Sequence, residues 1–573
     1  MARGRAEHVL AAVLALLMLA PVLRPGYVLA YDQVATPRVP FTAATLGWGD
    51  GLPRAVPQDA VVAALSLAVP GWVVQVVAVV AIVWLAVVGA ARLVPSDRVL
   101  VRLVAGAAYG WNAYVAERLL IGHWGLLLGY AALPWIVRSA LAARSGAHPA
   151  PVVAWSALAA LTPTGGLLAA ITATAVLCRP VAHSDVTRAP DEPRADEYRA
   201  RPGWALAVVA LNAPWVIAGA VAKVSAVSDP DGVPAFAARA ENWSGTLGAL
   251  LGLGGIWNAE TVPASRTSAA APLFTLIVLA VAVVGLRPLA ARWGRASFLT
   301  VAAVAAGGFL IAAAGALPGG PSFLGAVVAH VPGSGLLRDG QKFLAPYALL
   351  LAICFALGTE RLVPHRGRLP AAVLALALLY PVLVLPDLAW GGAGRLSSVH
   401  YPADWDRAAR ELRRDPHGSL VVLPFSSFRA FPWNGDRTVL DPAPRYFPVD
   451  VVVEDSLTVG PDTVSGESPR AREVGDALAA GRSLATARIT WVLVERTTPG
   501  SVPPSALDGF HPVVNGPELT LYRADSAPRA DQRPETVRKV SILTGYGIAV
   551  VVLLAALASW ALARRSLVSP RPD

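Results

Sequence analysis

Two cysteines in 573 residues, Cys178 and Cys354, both within or at the ends of apolar runs, exclude a disulfide framework and a thiolate zinc cluster. Charge is also scarce. Asp, Glu, Lys and Arg make up 15% of the chain against 55% hydrophobic residues, and the mean hydropathy is +0.53, so the composition is that of an α-helical polytopic membrane protein. No G-x-S-x-G elbow, Cys-x-x-Cys, Walker A or G-x-G-x-x-G fingerprint stands in a strand–turn–helix context, which leaves no nucleotide-binding or serine-hydrolase site to read. The net charge of +10 does not point to nucleic acid, because the arginines are dispersed at helix ends rather than gathered in a patch.

What is present is a series of apolar runs. Stretches long enough to cross about 30 Å of hydrocarbon lie at 8–24, 69–92, 99–116, 119–141, 203–226, 271–288, 296–316, 341–360, 369–388 and 540–563. The opening "MARGRAEHVLAAVLALLMLAPVLRPG" lacks a clear small-x-small cleavage site and reads as an uncleaved first helix. The stretch 150–178 carries "TPTGG" at its centre, where Pro and Gly fit either a broken helix or two short helices in a hairpin.

The positive-inside rule separates these choices, since each flips every downstream loop. With a hairpin and a cytoplasmic N-terminus, the short inner segments hold more than twice as many Lys and Arg as the outer ones. That predicts about twelve crossings in a plasma-membrane protein with both termini in the cytoplasm. The expected division is a membrane domain over 1–389 with a first outer loop at 26–68, an extracytoplasmic domain over 390–537, a final helix at 538–563 and a tail at 564–573. A Pro-rich segment at 179–202 reads as a flexible cytoplasmic linker. The outer domain should be small and α/β or α+β: "PADWDRAARELRRD" and "PRAREVGDALAAG" have helical periodicity, and "SLVVLPF", "ARITWVLVE" and "ELTLYRA" read as strands.

With this topology a set of polar residues gathers on the outer face. They are Asp32, Asp50 and Asp59 in the first loop, Glu117, Arg118 and His123 in "AERLLIGHWG", Glu241 in "ARAENWSG", Asn258 and Glu260 in "GGIWNAE", and Arg338, Asp339 and Lys342 in "LLRDGQKF". Ionisable groups near membrane depth are costly and mark functional sites. A carboxylate there can take a proton from a sugar hydroxyl, and Arg or Lys can hold a phosphate.

"AERLLIGHWGLLLGYAALPW", "GLGGIWNAE" and "LLRDGQKFLAPYALLLA", with a long first outer loop bearing an acid near its start, resemble the GT-C superfamily of polyprenyl-phosphate-sugar-dependent glycosyltransferases. Within it the chain is similar to actinobacterial arabinofuranosyl- and mannosyltransferases, and its scarce lysine suits a GC-rich actinobacterial genome. The resemblance covers roughly residues 1–390. It implies a GT-C-like fold, a polyprenyl-phosphate sugar donor, an envelope glycan or lipoglycan acceptor, a bilayer setting and no nucleic acid. It gives Asp32 the catalytic role, with Arg338, Lys342 and Arg38 as donor-phosphate ligands. No Asp-Asp or Glu-x-Asp pair occurs, so dependence on a divalent cation, Mg or Mn, stays open and the metal ligands are unknown.

Each residue also has a plainer reading. Asp32 can be a solvated turn carboxylate, Asp50 before Gly51 a turn residue, and Asp59 a helix cap. Glu117 and Arg118 can snorkel to the interface, and His123 beside Trp124 can belong to an aromatic belt. Arg338 and Lys342, four apart, fall on one face of a helix start and can grip a single phosphate. A transporter or flippase of a lipid-linked sugar is the alternative function, with a non-enzymatic envelope scaffold third. Transporters pair interrupted helices in two halves, whereas only one break is legible here.

Overall fold

The computed structural model describes residues 4–179, 195–224, 227–363, 369–459, 462–526 and 535–568. Most of the expected linker, 180–194, and the tail from 569 lie outside the described residues. The part of that linker from 195 onward is helical and runs into Ala195–Ala210.

Among the described residues seven helices are long and apolar enough to span: Arg5–Val22, Gly71–Leu93, Trp124–Arg144, Ala271–Trp293, Arg295–Ala314, Gly340–Leu362 and Thr536–Arg565. Up to nine spans result if two bent pairs each count as one, Arg201–Ala210 with Ala213–Ala220 at 52° and Ala371–Val384 with Pro386–Ala393 at 66°. The expected run 99–116 does not form one helix. It breaks at Trp111 into Val99–Gly110 and Ala113–Leu120, because Asn112 turns extended and caps the second helix by accepting from Val115 N at 3.1 Å.

The "TPTGG" stretch forms two helices, Ala150–Ala159 and Pro163–Leu177, with Thr162 capping the second. Contacts with Trp124–Arg144 fix their course. Arg144, at that helix's end, donates to the carbonyls of Leu177 at 3.2 Å and Arg179 at 2.9 Å, while a Cβ on Gly129 would lie 3.1 Å from Gly165 Cα and 3.6 Å from Ala159 Cα. The far end of the second arm therefore lies near Arg144, and the tip between the arms lies about four turns back along that helix: a hairpin. Its tip rests on a second break, since a Cβ on Gly166 would lie 2.1 Å from Asn212 Oδ1 in the bend of the 52° pair. The expectation of one break is thus corrected. Asn212 and Pro214 start a new helix, as do Leu385 and Pro386, where a sequence window sees continuous hydrophobicity.

The C-terminal region is α/β. Its five-stranded mixed sheet has the order Phe510–Asn515, Leu519–Ala524, Trp491–Glu495, Ser419–Leu423, Asp450–Val452, with the last three strands parallel. Strand periodicity divides its two faces. Leu420 and Val422 meet Trp405, Ala408 and Leu412 of the helix Ala403–Arg414, whereas Val421 and Leu423 meet Val474 and Ala477 of Pro469–Ala479.

This region also holds the first outer loop. Tyr27–Ala30 pairs antiparallel with Gln33–Val34 on one side and with Ser398–Val399 on the other. Leu29 and Val34 sit in the same core as Trp405 and Trp491. The turn between the two short strands, at Tyr31 and Asp32, is therefore clamped between the membrane helices and the C-terminal sheet.

Candidate functional site

Three main-chain constraints place Asp32. Tyr31 has φ +47° and bridges to the C-terminal region, its N–H donating to Thr438 O at 2.6 Å and its carbonyl accepting from Leu440 N at 2.8 Å. Asp32 N donates to Ile121 O at 3.1 Å, at the end of the helix Ala113–Leu120. Gly122 follows with φ +86°, and a Cβ there would lie 2.0 Å from Gln33 N, so only glycine admits the loop.

The side chains then form a relay. His123 Nε2 lies 3.0 Å from Asp32 Oδ2, and Arg118 Nη1 lies 3.0 Å from His123 Nδ1. A guanidinium has donors only and keeps its proton, so Nδ1 must accept and Nε2 must carry the hydrogen given to Asp32. This fixes His123 as one neutral tautomer. Burial lowers its pKa, and the charges of Lys342 and Arg118 lower it further. Burial raises the Asp32 pKa, but the His123 hydrogen bond and the charges of Lys342 and Arg445 outweigh it and hold the carboxyl below its ordinary value. Asp32 sits among these groups, yet 42% of its side-chain surface stays exposed.

Arg118 is itself held from behind. It forks onto Asp339 with two bonds of 2.7 Å and donates from Nε to Gln341 at 2.7 Å, wholly shielded from solvent. Burial opposes ionisation of Asp339, but Arg118 and Lys342 hold it far below the carboxylate range. Lys342 Nζ is 3.3 Å from Asp339 and remains partly open. Gln341 donates on to Glu117 at 3.1 Å, which also accepts from Ile256 N at 3.2 Å. Burial, then the neighbouring Glu241, push the Glu117 carboxyl well above its usual range, whereas Glu241 pairs with Arg266 at 2.8 Å.

In fold, this chain is similar to a mycobacterial arabinofuranosyltransferase. The solved structure of arabinofuranosyltransferase AftD from Mycobacteria superposes with a TM-score of 0.55 at 18% identity, over 91% of this chain and 40% of that one. A mutant of the same protein gives 0.52 at 19% identity, over 91% and 41%. The present chain spans about two fifths of the length of those solved chains. No protein-family model and no curated protein matches it. The likeness shows a shared fold, that of a helical membrane protein with an α/β C-terminal region.

Within that fold the expected residues separate into two groups. Asp32, His123, Arg118, Asp339, Lys342, Glu117 and Glu241 meet in one continuous network. Glu260 joins at its edge by accepting from the hydroxyl of Tyr31. The others lie elsewhere. Arg338 sits over the Phe236 ring at 5.7 Å and reaches Glu467 at 3.8 Å. It shares no helix face with Lys342, because Asp339, at φ −94° and ψ 72°, separates two 3-10 turns. Arg38 is exposed and forms no ion pair among the described residues. Asp50 pairs with Lys223 at 2.7 Å, and Asn258 caps a 3-10 turn through Glu260 N at 3.1 Å. Asp59, read as a cap, instead pairs with Arg445 at 2.9 Å.

Arg445, Gln341 and Arg266 were not singled out in the sequence. Gln341 lies inside "RDGQK", where a neutral amide between charges draws no attention. Nothing local marks Arg445, which comes from the C-terminal region to a loop almost 400 residues away. For a divalent cation the donor set fits poorly. Asp339 is engaged by Arg118 and Lys342, one Asp32 oxygen is held by His123, and Lys342, Arg118 and Arg445 already supply positive charge. Among the described residues no group of three or more His, Cys, Asp or Glu side chains suits a metal.

Proposed function

We propose that this chain is an integral-membrane glycosyltransferase that moves a sugar of the arabinofuranose or mannose class from a polyprenyl-phosphate donor to an envelope glycan or lipoglycan. The reaction lies on the outer face of the plasma membrane, with both termini cytoplasmic and the C-terminal domain outside. The observation that carries this reading is the half-open Asp32 carboxylate, held by a neutral His123 and flanked by Lys342.

In this reading Asp32 is the general base. The acceptor hydroxyl gives its proton to the free Asp32 oxygen as its own oxygen attacks the anomeric carbon. The bond from that carbon to the phosphate oxygen breaks, and polyprenyl phosphate leaves with the electron pair. Lys342 meets the charge that grows on the phosphate, as a cation beside a leaving anion must. A single displacement of this kind inverts the anomeric centre. His123 takes no proton, because Arg118 occupies its Nδ1. Arg338 has no part, since Glu467 and Phe236 hold its guanidinium.

The flippase alternative draws support from the additional helix breaks, which remove the sequence argument against it. One assay separates the two. Purified full-length protein with a radiolabelled polyprenyl-phosphate sugar and an envelope acceptor should form a glycosidic product, and Asp32→Asn should lower its rate by about 10²–10⁴-fold while donor binding persists. Undiminished transfer by Asp32→Asn would end the role of Asp32. Translocation without product from any donor would favour the flippase.

A further inference from the structure

Arg445 reaches the surroundings of Asp32 from the C-terminal region, and it uses only part of its guanidinium to do so. Its Nε donates to Asp59 Oδ2 at 2.9 Å, and its carbonyl accepts from Thr36 Oγ1 at 3.1 Å, four residues past Asp32. Asp59 stands in the first turn of the helix Gln58–Ala68, which the same loop holds through Val39 N donating to Ser66 Oγ at 3.2 Å. The Arg445 and Asp59 side chains stay 20% and 15% exposed. Among the described residues neither Nη of Arg445 nor Oδ1 of Asp59 has a hydrogen-bond partner, and none of these three atoms is sealed from solvent. The charge of Arg445 acts on Asp32, so the pair stands within electrostatic reach of that carboxylate.

Gln58 adds another unused group. A Cβ on Gly125, two residues after His123, would collide with Gln58 Oε1, so the amide rests against the first turn of Trp124–Arg144, where glycine leaves room for it. Among the described residues that amide has no hydrogen-bond partner, and neither of its polar atoms is sealed from solvent.

Charge separates this group from Lys342. Arg118 and Lys342 share the single carboxylate of Asp339, which leaves one positive charge over for a phosphate. Arg445 and Asp59 balance each other. A balanced pair keeps its hydrogen-bonding atoms but has little net attraction for an anion, and the neighbouring Asp32 carboxylate repels one. We infer that Arg445, Asp59 and Gln58 form the subsite for an uncharged acceptor sugar, with the Arg445 fork donating to two of its hydroxyls, Asp59 accepting from one, and the reacting hydroxyl thereby set on Asp32. This deepens the transferase reading and rests on it for the role of Asp32. The C-terminal region then supplies a substrate ligand, and the site is incomplete without it.

The experiment uses full-length protein in nanodiscs, a polyprenyl-phosphate arabinofuranose or mannose donor, and neutral octyl oligosaccharides of the same sugars as acceptors, each also made with single hydroxyls removed. Arg445→Lys, which keeps the charge and loses the fork, and Gln58→Met should each raise the acceptor KM by about 10-fold or more and leave the donor KM unchanged. At least one deoxy acceptor should lose as much with wild type and lose nothing further with Arg445→Lys, a coupling that a merely structural role does not produce. A raised donor KM with an unchanged acceptor KM would overturn the subsite and make Arg445 a phosphate ligand. Additive losses for every deoxy acceptor would overturn direct contact. Should Arg445→Lys not fold, the same comparison on Gln58→Met decides. Titration calorimetry of the oligosaccharides separates this subsite from the reaction it serves. Binding weakened in the variants, with no transfer by wild type, would leave the subsite standing and remove the transferase reading. Transfer by wild type with acceptor binding unchanged in the variants, or no binding of either oligosaccharide to wild type, would remove the subsite.

Discussion

Replacing Arg118 by Met tests the relay at its most constrained point. The side chain is wholly buried and forks onto Asp339 at 2.7 Å twice, so Arg118→Met strands a buried carboxylate and should cost about 3–5 kcal/mol. Adding Asp339→Asn removes the stranded charge, and the double variant should recover most of that loss, because a neutral isosteric pair is close to neutral in stability. A melting series in detergent on wild type, each single variant and the double variant measures the coupling.

The double variant also changes the chemistry. With Arg118 gone, His123 Nδ1 is open to a proton and one of the charges that lower its pKa is lost, so the ring takes a proton at higher pH than in wild type, although burial and Lys342 still oppose it. As imidazolium it would hold Asp32 as a weaker base, so the acid limb of transfer should begin at higher pH than in wild type. Wild type should show no such early limb, since burial and the charges of Lys342 and Arg118 keep its His123 neutral. Its acid limb should instead lie below the ordinary aspartate value of 3.8, where Asp32 is protonated. Identical pH profiles for the two proteins would refute the tautomer lock, and a single variant as stable as the double would refute the buried fork.

Three further outcomes follow from the structure. Gly122→Ala places a Cβ 2.0 Å from Gln33 N at φ +86°, so it should shift the Asp32 turn and abolish transfer while the melting temperature falls by less than for Arg118→Met; full activity would show the contact to be loose. Glu495, buried beside Arg429 and Asp441, has its pKa raised from 4.5 to about 8, by burial first and then by Asp441. A raised folded-state pKa gives stability that is present below 4.5 and lost as pH rises towards 8, so the melting temperature should drop across that window and Glu495→Gln should flatten the drop. In intact cells a membrane-impermeant maleimide should miss the exposed Cys178 and label a cysteine placed by Asp436→Cys, and the reverse pattern would invert the proposed topology.

Several features were legible in the sequence because they are local. Apolar runs such as Gly71–Leu93 cannot leave a bilayer cheaply, and the continuous apolar run in "SLVVLPF" fits a strand packed on both faces. The acid-bearing first loop and "RDGQK" also declare themselves, since charge at membrane depth needs a reason. Other features follow from packing between distant segments. Arg338 and Lys342 are four apart, yet Asp339, non-helical at φ −94° and ψ 72° and paired with Arg118, separates their two turns and they meet different partners. The breaks at Asn212 and Leu385 are hidden in hydropathy, since both flanks are apolar and only the tertiary contacts show where the chain turns.

By itself, then, the sequence determined that this chain lives in a membrane, where its α/β region lies, and that Asp32 merited attention. The burial of apolar helices and the period of strands act over a few residues, and a reader of residues can see them. Only the tertiary structure decided what stands beside Asp32. His123 and Arg118 arrive from the helix before and after Gly122, Asp339 and Lys342 from a turn more than 200 residues on, and Arg445 from beyond the last bent span. The strength and direction of a buried hydrogen bond depend on such neighbours, and no local pattern encodes them.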